Sequence, residues 1–234
     1  MLDFQADSDI TVLMRHLIRK YEPRDRERVR WICCETGFMG EPVEAYFEGR
    51  ELFADMWTKY WTDYEPESAL VAEVEGQVVG YLLGCLDTDR QEKIFAREIQ
   101  PKLVRDFFIQ GNFLSSKNWR YLRRVVRSYR RGEFHDPMKM VKSLYPAHLH
   151  TNIAPAEFRG QGLGKALMQA YLAYLGGHKV KGVHLVTTSR NRAALGLYYR
   201  MGFKELFRGP LTCYDHVLSE PLEKIGLGLK LEGT

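Results

Sequence analysis

The chain has no apolar run long enough to cross a bilayer. Its longest, Val78 to Leu86, is under half of the roughly 20 residues that a spanning helix needs. No secretory leader is expected from its first residues: Met1-Leu2-Asp3-Phe4-Gln5-Ala6-Asp7 is acidic, with no basic n-region ahead of an apolar stretch. Cysteine is scarce, with Cys33, Cys34, Cys85 and Cys213 the only four, and none of them forms a CxxC. Adjacent Cys33 and Cys34 rarely bridge each other, so a reduced, cytoplasmic setting is expected. There is no internal repeat, no low-complexity tract and little net charge. Lys+Arg number 34 against 30 Asp+Glu, a formal +4 that is too mild to point to nucleic acid unaided. These absences argue against a membrane-spanning protein, a disulfide scaffold and a disordered tail. The 234 residues are 45% hydrophobic and 27% charged, which suits one soluble domain with a sizeable core.

The patterning gives an order of elements. Leu17 to Tyr21 is strand-like and leads into the turn Glu22-Pro23-Arg24-Asp25, with Asp25 a candidate N-cap. Val29, Ile32 and Cys33 then have helical spacing. The stretch from Val43 to Tyr64 is rich in aromatics, and Phe53, Trp57, Trp61 and Tyr64 share one helical face, the mark of core packing. Ala69 to Glu75 and Val78 to Leu86 read as a hairpin turning at Glu75-Gly76-Gln77. Residues 88–145 are polar and helical in texture. Ala147 to Ile153 is a strand, residues 163–177 a helix, Val183 to Thr188 a strand, then another helix and a strand from Phe203. Alternation of this kind predicts a sheet covered by helices.

The most informative segment is Arg159-Gly160-Gln161-Gly162-Leu163-Gly164-Lys165, which follows a strand and opens a periodic helix. Glycines there let backbone N–H groups and the helix dipole meet a phosphate. The spacing fits neither a Walker A loop, which needs four residues between its glycines and Ser or Thr after the Lys, nor the dinucleotide GxGxxG. It matches the Arg/Gln-x-x-Gly-x-Gly/Ala signature through Arg159, Gly162 and Gly164. Further on, the run from Asn191 to Phe203 matches Asn-x-x-Ala-x-x-Leu-Tyr-x-x-x-Gly-Phe. In both motifs, in this order, the chain resembles the GNAT acetyltransferases, loosely over 15–86 and well over 146–220. The wording from Tyr145 to His150 also resembles the acetyltransferase-like region of some O-GlcNAc-hydrolase proteins.

The resemblance implies an α+β fold: a mixed, mostly antiparallel sheet whose parallel strands 4 and 5 splay apart, here with a helical insert between strands 3 and 4. It implies acetyl-CoA as cosubstrate and no metal. The amides of Gln161, Gly162, Leu163, Gly164 and Lys165 would hold the pyrophosphate, with charge-assisted bonds from Arg159. The backbone at Ile153 would pair with the pantetheine arm and offer an N–H to a developing oxyanion, and Asn191 would touch the same arm. Tyr198 falls at the family's general-acid position, with Tyr199 as fallback. The family often has a Glu on the central strand as base. This chain has none there, and His148 and His150, which alternate onto one strand face, are the candidates. A zinc reading of the pair needs a third ligand, for which His184 and Asp215 offer no supporting spacing. Cys33 and Cys34 read as small buried residues. The resemblance also implies that the aromatic region around Phe53, Trp57, Trp61 and Tyr64 borders the acceptor site, so lining by some of these rings stays open beside core packing.

The insert, 88–145, holds fourteen Lys+Arg against six acids, a local +8, so the rest of the chain stands at −4. Arg120 to Arg131 is the densest part and is interleaved with Trp119, Tyr121 and Tyr129. Three readings are open: a solvated basic face opposite an apolar one (Leu122, Val125, Val126, Tyr129), a polyanion surface, or a wall selecting an anionic acceptor. The expected function is acetyl transfer from acetyl-CoA to an amine by direct attack in a ternary complex. The rival is a GNAT-scaffold binding module that holds nucleic acid or another polyanion. Oligomeric state is open, with a homodimer one option and residues 1–14 a candidate strap onto a partner.

Overall fold

The computed structural model describes residues 16–134 and 142–231; the expected strap at 1–14 lies outside them. Seven strands make one sheet: β1 (His16–Lys20), β2 (Ala69–Val74), β3 (Gln77–Cys85), β4 (Ala147–Ile153), β5 (Gly182–Thr188), β6 (Lys204–Pro210) and β7 (Glu223–Lys230). Their spatial order is β1-β2-β3-β4-β5-β7-β6, and every neighbour is antiparallel except β4 with β5. The β2–β3 hairpin turns on Glu75 and Gly76, both at positive φ, so the sharp reversal needs only two residues. β7 was not anticipated. It enters between β5 and β6, and its Ile-Gly-Leu-Gly-Leu alternation keeps Ile225 and Leu227 in the core while Gly226 leaves room for the Phe207 ring of β6.

One sheet face carries α1 (Arg26–Glu35) and α2 (Arg50–Asp63) over Tyr81, Leu83 and Cys85 of β3. The other carries α6 (Leu163–Gly177) and α7 (Arg192–Arg200) over Leu82, Leu149, Val183 and Leu185. Asp25 sits at the N-cap position of α1 but does not cap it. Its carboxylate instead accepts from Arg19 at 2.7 and 2.8 Å and from the Glu22 N–H at 2.8 Å, tying β1 to the turn. Of the aromatic face of α2, Phe53 and Trp61 are buried as expected, but Trp57 is 44% exposed.

Between β3 and β4 lie α3 (Thr88–Ile94), a π-helical turn (Phe95–Ile99), α4 (Gln100–Ile109) and α5 (Ser116–Arg130). Ser115 caps α5 by accepting the Asn118 N–H at 3.2 Å. The inward stripe of α5 is Asn118, Tyr121, Leu122 and Ser128; Val126 and Tyr129, expected on that stripe, are 50% and 59% exposed. Asn118 is completely buried and fastens the insert. Its Oδ1 accepts the Glu48 N–H at 2.7 Å, and its Nδ2 donates to the Glu48 carbonyl at 2.7 Å and the Asn112 carbonyl at 2.9 Å. Farther along, Glu133 accepts from the Thr212 N–H at 2.9 Å. Among the described residues no helix is long and apolar enough to cross a membrane.

Tyr171 of α6 reaches through the sheet edge of the core, its hydroxyl donating to the Cys85 carbonyl at 2.9 Å and lying 3.2 Å from that of His148. The ring passes where a Cβ on residue 84 would stand, which is why a glycine sits there. Gly84→Ala should therefore lower unfolding free energy by about 1–3 kcal/mol through overpacking, and Tyr171→Phe by about 1 kcal/mol through the lost bond; urea titrations read both.

Candidate active site

The site begins where two strands stop pairing. β4 and β5 are in register only at Ala147–Val183 and His148–His184, and beyond that they diverge. On the other side β4 stays paired with β3 up to Ile153, and the Ala154 N–H donates to the Val79 carbonyl at 3.0 Å. Strand alternation then aims the N–H groups of Thr151 and Ile153 away from β3, into the gap. Those backbone donors face an opening instead of another strand.

The glycine loop closes one end of the gap. Gly160 and Gly162 have φ of 78° and 86°, open to glycine at no steric cost. The first amide to bond back into α6 is that of Ala166, to the Gly162 carbonyl at 3.0 Å. The N–H groups of Gln161, Gly162, Leu163, Gly164 and Lys165 have no partner among the described residues. A Cβ on Gly164 would stand 3.4 Å from Leu197 and 3.7 Å from Ile153, so the helix end sits tight against β4 and α7. Five unpaired amides at a helix N-terminus form a cradle for an anion such as a pyrophosphate.

The remaining expected residues are placed as follows. The Arg159 Nε donates to the Ile153 carbonyl at 2.9 Å and its Nη2 to the Gly40 carbonyl at 2.8 Å. Its guanidinium thus joins the end of β4 to the α1–α2 connection. Asn191 caps α7, its Oδ1 accepting the Ala194 N–H at 3.4 Å. Tyr198 is 5% exposed, its ring is 5.7 Å from that of Phe203, and its hydroxyl has no hydrogen-bond partner among the described residues. Burial pushes that phenol up to about 12. Tyr199 is 45% exposed and donates to Glu205 at 3.3 Å.

His148 and His150 do share a face, the one toward α2. His148 Nδ1 lies 3.0 Å from Cys85 Sγ and 3.1 Å from Thr88 Oγ1. Thr88 gives its own proton to the Pro146 carbonyl at 2.6 Å, so it can only accept from His148. This network assigns the His148 proton to Nδ1. His150 packs against Trp61 at 4.3 Å and Trp57 at 5.9 Å between ring centres, and its Nε2 is shielded from water without a partner. His184 comes beside His148 at 5.7 Å and bonds the Tyr145 carbonyl through Nδ1 at 2.7 Å. No group of three or more His, Cys, Asp or Glu among the described residues is arranged to hold a metal ion. Burial lowers His148 well below the usual histidine range, with His150 and His184 adding to it, and lowers His150 to about 4. Both are therefore neutral at pH 7. All four cysteines are buried, with burial raising Cys33, Cys85 and Cys213 to about 12 and Cys34 to about 11.

Sequence reasoning did not find Cys85, Thr88, Trp57 and Trp61 as neighbours of these histidines. The β3–β4 register pairs Cys85 with His148, a long-range fact that no local spacing carries.

Residues 140–203 match the model of the acetyltransferase (GNAT) family. The whole chain is similar to the crystal structure of SsHAT, at 27% identity and a TM-score of 0.65 over 92% of this chain and 98% of that one. It shares its fold with a GNAT superfamily phosphinothricin acetyltransferase from Sinorhizobium meliloti solved in complex with acetyl-CoA (18% identity, TM-score 0.57, 94% of this chain and 91% of that one). It also shares it with a ribosomal-protein-alanine N-acetyltransferase from Brucella melitensis (17%, 0.55, 92% and 99%).

A histidine held at about 4 when folded and near 6.5 when unfolded makes the unfolded chain bind more protons between those values, so stability is complete above pH 6.5 and falls as pH drops toward 4. His150 alone should contribute a loss of about 2 kcal/mol from pH 7 to pH 5. Urea midpoints for wild type and His150→Gln at the two pH values check this; the variant should show the smaller change.

Proposed function

We propose that the chain is a GNAT-type acetyltransferase, on the strength of the segment at 140–203 that matches the family and of the similarity of the fold, and that it moves the acetyl group of acetyl-CoA to an amine by direct attack in a ternary complex. The observation that carries this reading is the cradle of five unpaired amides, Gln161 to Lys165, opening into a gap with unpaired strand N–H groups. Acetyl-CoA supplies an acetyl group activated as a thioester. In this reading the five amides bind its pyrophosphate, and the Ile153 N–H pairs with the pantetheine arm as a strand would. The Arg159 guanidinium holds the Ile153 carbonyl and the Gly40 wall in place, and its remaining N–H donors serve the pyrophosphate.

The amine nitrogen bonds to the thioester carbon and charge develops on the carbonyl oxygen, which the Thr151 N–H, deeper in the gap, stabilises. The new nitrogen sheds a proton to His150 Nε2, which has no hydrogen-bond partner among the described residues. The carbon–sulfur bond breaks and the Tyr198 hydroxyl gives its proton to the departing sulfur, whose thiolate form is itself disfavoured where water is excluded. His148 fixes the orientation of this strand face through Thr88 and Cys85. Direct attack is favoured over a thioester on the enzyme because all four thiols are buried and protonated.

A histidine near 4 is too weak to strip an alkyl ammonium whose pKa is about 10.4. The acceptor therefore enters as the free amine, and kcat/KM should rise with pH along the acceptor's own ionisation, with no inflection near 6.5. Calorimetry should show acetyl-CoA binding, and its absence at millimolar ligand would overturn the reading. Tyr198→Phe and His150→Gln should each lower kcat by about 10²–10⁴-fold with acetyl-CoA affinity near wild type; unchanged turnover would remove either residue from its role.

A further inference from the structure

Exposed apolar side chains are gathered in the insert. Of the fourteen large hydrophobic residues that are exposed among the described residues, ten fall within 88–145. Six of these meet around the α4–α5 connection. Val104 and Phe108 are one turn apart on α4, Ile109 ends that helix, and Phe113, Leu114 and Trp119 follow the reversal. The Phe108 and Phe113 rings are 5.8 Å apart, and the buried Phe107 ring lies 5.5 Å from Phe108 and 5.8 Å from Trp119. Trp119 Nε1 donates to the Phe113 carbonyl at 2.6 Å. The reversal is held by its own backbone, with the Gly111 N–H on the Phe108 carbonyl at 3.1 Å and the Leu114 N–H on the Gly111 carbonyl at 3.0 Å. The buried Asn118 takes the Asn112 carbonyl. The result is a fixed apolar knob whose outermost side chains, Ile109 and Leu114, are 73% and 77% exposed. A contiguous apolar patch on a fixed support marks an interaction surface.

Cations rim the knob. Lys102 and Arg105 share a ridge of α4 with Ile109, and on α5 Arg123 lies one turn beyond Trp119, beside Arg120. All four are exposed. Lys102, Arg120 and Arg123 make no ion pair among the described residues, and α5 contains no acid. The acids nearest in sequence and contact are already engaged, Asp106 by Arg105 at 2.7 Å and Glu48 by Lys117 at 3.4 Å. The pairing of an apolar tip with an unpaired basic rim decides among occupants. A two-fold contact between copies would set one basic rim against the other, like charge against like. A nucleic acid could stack on Phe108, Phe113 and Trp119, but the aliphatic Ile109 and Leu114, which project farthest, give a base nothing to stack on. An anionic bilayer answers both features at once. Its acyl boundary receives apolar side chains and its headgroups receive the cations.

We propose that the α4–α5 tip is a peripheral contact with an anionic lipid surface. Phe108, Ile109, Phe113 and Leu114 enter the acyl boundary, and Trp119 sits at headgroup depth with its indole N–H already bonded inside the protein. Lys102, Arg120 and Arg123 lie against the headgroup charges. The contact rests on the bilayer and does not span it. It is independent of the acetyl-transfer reading, since no residue of the gap or the glycine loop takes part.

The test is flotation of the whole chain with vesicles of phosphatidylcholine alone and of phosphatidylcholine carrying about 30% phosphatidylserine. The chain should float with the anionic vesicles and not with the neutral ones, and raising salt from about 0.1 M to about 0.5 M should weaken the association. Ile109→Ser with Leu114→Ser should lower the partition coefficient by about ten-fold or more. Arg123→Gln should lower it by about five-fold, one charge at the surface, and Leu17→Ser, an exposed apolar position on β1, should leave it unchanged. Both tip side chains are exposed, so the double variant should unfold thermally as wild type does, which keeps a loss of flotation from being a loss of fold. No flotation with anionic vesicles at the lower salt, or flotation indifferent to the double substitution, overturns the proposal. So does a dimer in sedimentation velocity that the double substitution dissociates, which assigns the tip to a second copy. Binding of a single-stranded oligonucleotide that depends on Arg123 but not on Ile109 and Leu114, with no flotation, assigns the rim to nucleic acid and overturns it as well.

Discussion

The feature on which the rest depends is the loss of pairing between β4 and β5. A parallel pair that stayed in register to its ends would use up the backbone N–H groups of Thr151 and Ile153 in a ladder. Two registers hold the strands at Ala147 and His148, and then the sheet opens. The opening is stable because each side is supported elsewhere: β4 keeps its full ladder with β3, and β5 keeps seven pairs with β7. Gly164 brings the amide-rich start of α6 to the mouth of the same gap. Unsatisfied donors are costly when buried, so their concentration in one opening marks a place that a polar, anionic molecule completes.

A second constraint is charge economy beside that opening. His148, His150 and His184 are close enough that ionising one would disfavour the others, and the aromatic wall of Trp57 and Trp61 gives little solvation to a cation. The strand face is therefore a set of neutral acceptors and donors. Positive charge is kept instead on the insert, where solvent reaches it.

Much of this was legible in the sequence, for identifiable reasons. The span of α6 followed from periodic leucines ahead of Gly176-Gly177, the hairpin from Glu75-Gly76, and the cradle from the two motifs in order. β7 was missed although Ile225, Leu227 and Leu229 alternate, because the intervening glycines mimic a turn signal. Arg159 and Asn191 also have partners that their motifs do not announce: one bridges two carbonyls, the other caps a helix. Such partners lie as far away as Gly40, and nothing local specifies them. The inward stripe of α5 was shifted by one residue for the same reason. Asn118, a polar residue that pattern reading assigns to solvent, is completely buried because the Glu48 peptide meets it.

That contact separates two duties in the insert. The Asn118 carboxamide accepts from and donates to the Glu48 backbone as a neighbouring peptide would, so one side chain does the work of a β-bridge and admits only one alignment of α5. Alignment set by a neutral amide is indifferent to the charges around it. The outward arginines of the helix take no part in that contact, so replacing one of them leaves the seating of the helix to the amide.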